Sequence, residues 1–256
     1  MKTAFVVASL VLISTNLICA SERIAETHAA QEGVGSRFRE QLAQDDDPRA
    51  DILSGEFFIH RTSERLDCKA GLSWMTGLAE TGDAEAMFEL GTMYETGSCA
   101  PVSEPKALAW LRKAAENGNN AAPSSLGKAY YSGNNDLGTD YSQALLWFSK
   151  GAMICDAQSF YYLGSMYQDG KGVTRNHNEA YKLFDIAMHL YPFMSEHRTM
   201  ALLARDRSRE VLTPGEVTAA GLASRRLLEA LLEHDTQMIH NLFPQEALAA
   251  LHASER

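Results

Sequence analysis

The chain has 256 residues, 45% of them apolar and 22% charged, which is globular composition and excludes a disordered or fibrous protein. Its 23 basic and 33 acidic residues give a net charge of −10, and so a poor counterpart for a nucleic-acid backbone. Four Cys are too few for a small disulfide-framed fold.

In chain order, Lys2 and the uncharged run Ala4–Ile13 precede Ser14, Thr15 and Asn16, and Ile18-Cys19-Ala20 ends in a small residue. This layout predicts a secretory signal over residues 1–20, cut after Ala20, and hence a protein of the periplasm or the secreted medium. A membrane anchor is the competing reading, but the apolar run breaks short of the roughly 20 residues a span needs. Residues 21–46 hold Gly33, Gly35 and Asp45-Asp46-Asp47 with little periodicity, and are expected to be a mobile or partly helical lead-in.

From Asp83 onward landmarks return every 36 or 37 residues. Gly91 recurs as Gly127 and Gly164, Tyr94 as Tyr130 and Tyr167, Gly97 as Gly133 and Gly170, and Ala107 as Ala144 and Ala180. Trp110 recurs as Trp147 and less faithfully as Leu183, and counting back by 36 reaches Gly55, Phe58 and Trp74 in a degenerate unit. Each unit reads as two helices. Ala86, Leu90, Gly91 and Tyr94 share one face of the first, and Gly97 stops it. Ser103 and Pro105 open the second, Ala107, Trp110, Leu111, Ala114 and Ala115 mark its face, and Gly118 ends it. A helix-interior glycine costs up to about 1 kcal/mol against alanine. Its repetition predicts a close helix crossing, with Gly91, Tyr94, Trp110, Gly127, Tyr130, Trp147, Gly164 and Tyr167 as repeat core and the Tyr and Trp rings filling the space beside each glycine.

The text A-x3-LG-x2-Y-x2-G followed by A-x2-WL-x-KAA-x2-G, and YYLGSMYQDGKGV with EAYKLF in the third unit, resembles the SEL1-like repeat family. The resemblance implies an all-α, right-handed α-solenoid of antiparallel helix pairs over residues 47–189, closed by C-terminal capping helices over 190–256. The tail carrying Leu212-Thr213-Pro214-Gly215-Glu216 resembles the closing segment of such proteins. Stacked pairs would leave a concave face of first helices offering Phe88, Thr92, Glu95, Ser124, Lys128, Tyr131, Tyr161, Ser165 and Gln168 to a protein partner. A plain solvated face is the alternative. The family implies a non-enzymatic adaptor or regulator.

Helices are expected over 193–211 and 216–234, split by Thr213-Pro214-Gly215, with a short last one over 244–256. Arg198, Arg205, Arg207, Arg209, Arg225 and Arg226 form a local basic cluster, read as solvated or salt-bridged, or as a docking patch for an acidic partner. Cys68 would open the degenerate unit's second helix and Cys99 follows the end of the next helix. Antiparallel neighbours bring these ends together, which predicts a Cys68–Cys99 disulfide with Cys155 left free and buried. Three reduced, buried thiols are the alternative.

Chemistry is thinly represented. Ser125-Leu126-Gly127-Lys128 and Ser103-Glu104-Pro105-Lys106 match Ser-x-x-Lys, the spacing that sets an amine beside a nucleophilic hydroxyl, and a cell-wall or β-lactam hydrolase using Ser125 and Lys128 is the competing function. The body lacks Ser-Asp-Asn and Lys-Thr-Gly. His28, His60, His177, His189, His197, His234, His240 and His252 are scattered and none sits in His-Glu-x-x-His, so no metal is expected, and no cofactor motif appears.

Overall fold

The structure is a computed structural model that describes residues 68–133 and 138–254. The signal segment, the lead-in, Gly55 and Phe58 lie outside the described residues. What is described is all helical: α1 Cys68–Glu80, α2 Ala84–Thr96, α3 Glu104–Glu116, α4 Ala122–Ser132, α5 Tyr141–Met153, α6 Ala157–Asp169, α7 His177–Leu190, α8 Glu196–Arg209, α9 Pro214–Glu233, α10 Thr236–Leu242 and α11 Gln245–Ser254. The chain divides into two compact units between Asn119 and Asn120.

The helix ends explain the period. The first helices α2, α4 and α6 stop at Gly97, Gly133 and Gly170, which take φ of 79°, 63° and 73°. That left-handed conformation lets each glycine N–H bond back to a helix carbonyl without a Cβ clash. The turns close alike: the N–H groups of Ser103, Asp140 and Asn176 each donate to the carbonyl of Tyr94, Tyr130 and Tyr167, all at 2.9 Å. Those three residues also N-cap the second helices, Asp140 and Asn176 with their side chains.

In the first unit α2 packs on α1 and α3. Cys68 and Cys99 form a disulfide, Cα–Cα 4.7 Å, tying the start of α1 to the loop after α2. Reducing it should speed amide exchange across α1 at least tenfold while α5–α7 stay unchanged, since both ends of the bond lie in the first unit. Cys155 carries no disulfide and is half-buried, not buried as expected. Its φ of 60° follows from its place, the repeat position that Gly118 fills with φ 90°.

In the second unit α4–α7 pack in sequence, α4 touches α6 and α6 touches α8, so successive first helices lie side by side. The close crossing sits where the period put it, with a different partner. A Cβ on Gly91 would meet Leu111 Cγ at 2.7 Å, one on Gly127 Phe148 Cδ1 at 2.5 Å, and one on Gly164 Phe184 Cδ1 at 2.8 Å. The residue after the Trp column therefore covers each glycine, one helix position, or about 100°, from the Trp expected there. Tyr130, Trp147 and Tyr167 are buried, but Tyr94 and Trp110 are half-exposed. In place of a protein core these two rings carry lysines, Lys106 Nζ 5.1 Å from the Tyr94 centroid and Lys113 Nζ 4.2 Å from that of Trp110.

The C-terminal helices join the second unit through α7. Asp185 meets Arg205 of α8 at 3.1 Å and accepts from Ser224 Oγ of α9 at 2.6 Å. Lys182, 5% exposed, reaches the Leu242 carbonyl at the end of α10 and pairs with Glu179 at 2.6 Å. Helix α11 packs on α5, and its Glu246 accepts from the Thr174 N–H at 3.1 Å. The short α10 was missed by the sequence reading because it has no buried residue to give it a periodic face. Asp185 binds across 189/190, joining the C-terminal helices to the last repeat. Among the described residues no helix is long and apolar enough to cross a membrane.

Candidate functional site

The glycine contacts set the rings behind a cluster of phenols. Phe148, seated on Gly127, stacks with Tyr162 at 4.9 Å and 5°, and Phe184, seated on Gly164, touches Tyr161 at 5.5 Å. Tyr131 meets Tyr141 and Tyr162 edge-on, each at 5.7 Å, and Tyr161 meets Tyr162 at 5.5 Å and 85°. These are the separations and tilts that aromatic quadrupoles favour. Tyr131, Tyr161 and Tyr162 are all half-exposed, so each ring is anchored on one side and open on the other.

Lys171 completes the cluster. It stands between Gly170 and Gly172, both at positive φ, and its Nζ donates to Tyr131 Oη at 2.9 Å and pairs with Asp169 at 3.3 Å. The Tyr131 hydroxyl and Asp169 hold its ammonium above the usual lysine range. Burial, with Tyr161 and Tyr131 adding to it, pushes the Tyr162 phenol up, so the hydroxyl stays protonated and able to donate. Tyr141, Tyr162 and Lys171 were not singled out from the sequence. The Tyr161-Tyr162 doublet, replacing Ser124-Ser125 one period earlier, was the available signal.

The nine expected partner-binding residues do not share one environment. Phe88, Thr92 and Glu95 lie on α2 in the first unit; Phe88 and Thr92 are half-buried and Glu95 is exposed. Thr92 Oγ1 donates to the Phe88 carbonyl at 3.2 Å and Ser165 Oγ to that of Tyr161 at 3.1 Å, so both hydroxyls serve their own helices. Lys128, Tyr131, Tyr161 and Ser165 are half-exposed on α4 and α6. Two need correction. Ser124 is 3% exposed because its hydroxyl turns inward to the Ala121 carbonyl, 3.1 Å away, and to Asp156. Gln168 is half-buried with its amide engaged by α8, its Nε2 donating to Ser208 Oγ at 3.1 Å and toward the Ala204 carbonyl at 3.4 Å.

Asp156, the N-cap of α6, lies beneath this face with Ser159 Oγ at 2.6 Å. Burial pushes its carboxyl up, against hydrogen bonds from Ser159, Gln158 and Ser124 that pull it down. A carboxyl raised by folding contributes its stability below its unfolded pKa and loses it as pH rises through the folded value. Asp156→Asn keeps a capping side chain and removes the charge. Its unfolding midpoint should therefore vary less with pH above 4 than the wild type's, as urea titrations at stepped pH would show.

Ser125 and Lys128 are half-buried on either side of Gly127, and no hydrogen bond joins their side chains. Ser103 caps α3 by position and Lys106 lies over Tyr94. Among the described residues no group of three or more His, Cys, Asp or Glu could hold a metal ion. The arginine cluster divides: Arg205 pairs with Asp185 and Asp206, Arg198 donates to the carbonyls of Met188 and Tyr191, and Arg207, Arg209, Arg225 and Arg226 are exposed.

The Sel1 repeat family matches residues 84–119, 124–153 and 158–188. Among solved structures, a Sel1 repeat protein from Oxalobacter formigenes is 23% identical with a TM-score of 0.54, over 74% of this chain and 77% of that one. That likeness is one of fold. A protective antigen of uropathogenic Escherichia coli with an SLR fold is 28% identical with a TM-score of 0.45, over 64% of this chain and 33% of that one. No curated protein matches the sequence. With the glycine, tyrosine and capping columns repeating through those spans, the chain carries three Sel1 repeats in tandem between residues 84 and 188.

Proposed function

We propose that this is an exported, non-catalytic adaptor that holds a protein partner on the phenol face of α4 and α6. Sel1 repeat proteins generally mediate protein–protein interactions. The observation that carries the reading is the cluster of Tyr131, Tyr161 and Tyr162, packed from behind and half-exposed in front. Tyrosine suits protein recognition because it offers a large rigid ring at low entropy cost together with a hydroxyl that donates and accepts. Lys128 and Lys171 add positive charge beside it. Residues 1–20 support export, with cleavage after Ala20, and the Cys68–Cys99 bond suits an oxidising compartment such as the periplasm or the secreted medium.

A photo-crosslinker placed at position 131 in the producing cells is expected to trap one discrete protein. At buried position 130 it should trap none. Equal yields from the two positions, or none from either in a folded protein, would contradict the reading. N-terminal sequencing of the mature protein should begin at Ser21. A fluorescent penicillin is expected to leave the protein unlabelled, and labelling that Ser125→Ala abolishes would replace the adaptor with a hydrolase.

A further inference from the structure

Beside this face the chain makes a turn that packing does not explain. Between α7 and α8, the Ser195 N–H donates to the Pro192 carbonyl at 3.1 Å, closing a turn over Phe193 and Met194. Met194 sits at its third position with φ 74°, where glycine or asparagine is favoured. Three other described non-glycine residues have positive φ, and each has a local reason. Cys99 is in the disulfide, Cys155 stands where the preceding unit has Gly118, and His234 C-caps α9. Met194 takes it for the turn alone, without the glycine or asparagine that position favours, and the residue is 87% exposed. Phe193 is 80% exposed, and no other large apolar side chain among the described residues is as exposed as these two. Strain and apolar exposure at one residue point to use in binding, because folding gains from neither.

The turn is braced. Arg198 donates to the Met188 carbonyl at 2.7 Å and places its guanidinium 5.5 Å from the Phe193 ring centroid. At the turn's base, Tyr191 stacks on His197 at 5.5 Å and stands two helix turns beyond Phe184, whose ring touches Tyr161 at 5.5 Å. Through α7 the turn therefore follows on from the tyrosine face. Resting on the reading of that face as protein-binding, we infer that Pro192, Phe193 and Met194 form a preorganised apolar finger that seats in an apolar pocket of the same protein partner. A lipid surface fits less well. Anionic headgroups favour clustered free cations, whereas this chain carries −10 net, Glu196 follows the turn, and Arg198 is engaged by carbonyls.

The test places the photo-crosslinker at position 193 and, separately, at 131, in the full chain in the producing cells. The expected result is one adduct of the same protein from both sites. Phe193→Ser with Met194→Asn should lower the yield at 131 at least tenfold. Because asparagine tolerates positive φ, the melting midpoint should hold level or rise by about 2–4 °C, a gain that a merely structural turn would not combine with lost binding. An adduct at 131 whose yield the double substitution leaves unchanged would overturn the finger and leave the adaptor standing. An adduct at 193 alone would overturn both the face and the shared partner, as would no adduct at either. Flotation of the wild type, but not the double variant, with phosphatidylglycerol vesicles would overturn the protein pocket in favour of a membrane.

Discussion

Asp185→Ala should destabilise the second unit by about 2–4 kcal/mol in urea unfolding, with the loss concentrated in α8 and α9. The Asp185 carboxylate is 11% exposed and the Arg205 side chain 18%. Removing one member of a buried pair leaves an uncompensated charge, usually about 3–5 kcal/mol. Here the cost is lower because Arg205 keeps Asp206, whose side chain is 45% exposed. Ser224 keeps only the Gly221 carbonyl, at 3.0 Å. Since Asp185 on α7 holds α8 through Arg205 and α9 through Ser224, amide exchange should rise in both helices and least in α4. Asp185→Leu combined with Arg205→Met should cost less than Asp185→Ala alone, because no charge is then left unpaired. A cost under about 0.5 kcal/mol for Asp185→Ala would show that the pair does not hold these helices.

Gly127→Ala and Gly164→Ala should each destabilise by about 1–3 kcal/mol, although alanine is the better helix former by up to about 1 kcal/mol. The added methyl would enter the rings of Phe148 and Phe184, both 0% exposed and enclosed by neighbours. A flat, buried ring has little freedom to withdraw. Gly91→Ala should cost less, because the two nearest atoms are Leu111 Cγ and Cδ2, which a rotamer change can move, while the Ala107 carbonyl oxygen stands further off at 3.3 Å. The same substitutions should reach the candidate interface, since Phe148 stacks on Tyr162 and Phe184 abuts Tyr161.

What the sequence made legible are the features imposed by local sterics. A left-handed helix stop admits few residues besides glycine, so Gly97, Gly133 and Gly170 recur and mark the period. A helix crossing with no room for a side chain likewise forces Gly91, Gly127 and Gly164. The ends of neighbouring helices placed Cys68 near Cys99. Other features depend on which way a helix turns or on distant chain. Spacing alone could not decide between Trp147 and Phe148 as the cover of Gly127, because both lie on the inner half of α5. Ser124 and Gln168 read as surface because the atoms that engage them, Asp156 and α8, come from later in the chain. The phenol cluster joins residues from three helices, and no single-helix pattern contains it.

The central claim is that each glycine of a first helix touches the residue after the Trp column of its second helix, and that this contact fixes which side chains face outward. A double-mutant cycle on Gly164→Ala and Phe184→Leu in urea unfolding tests it most directly. If the contact is as described, the smaller, flexible leucine relieves the methyl clash, and the double variant is more stable than the sum of the single losses predicts by at least about 1 kcal/mol. Additivity within about 0.3 kcal/mol would mean that Gly164 and Phe184 do not share a contact, contradicting the register assigned to the repeats.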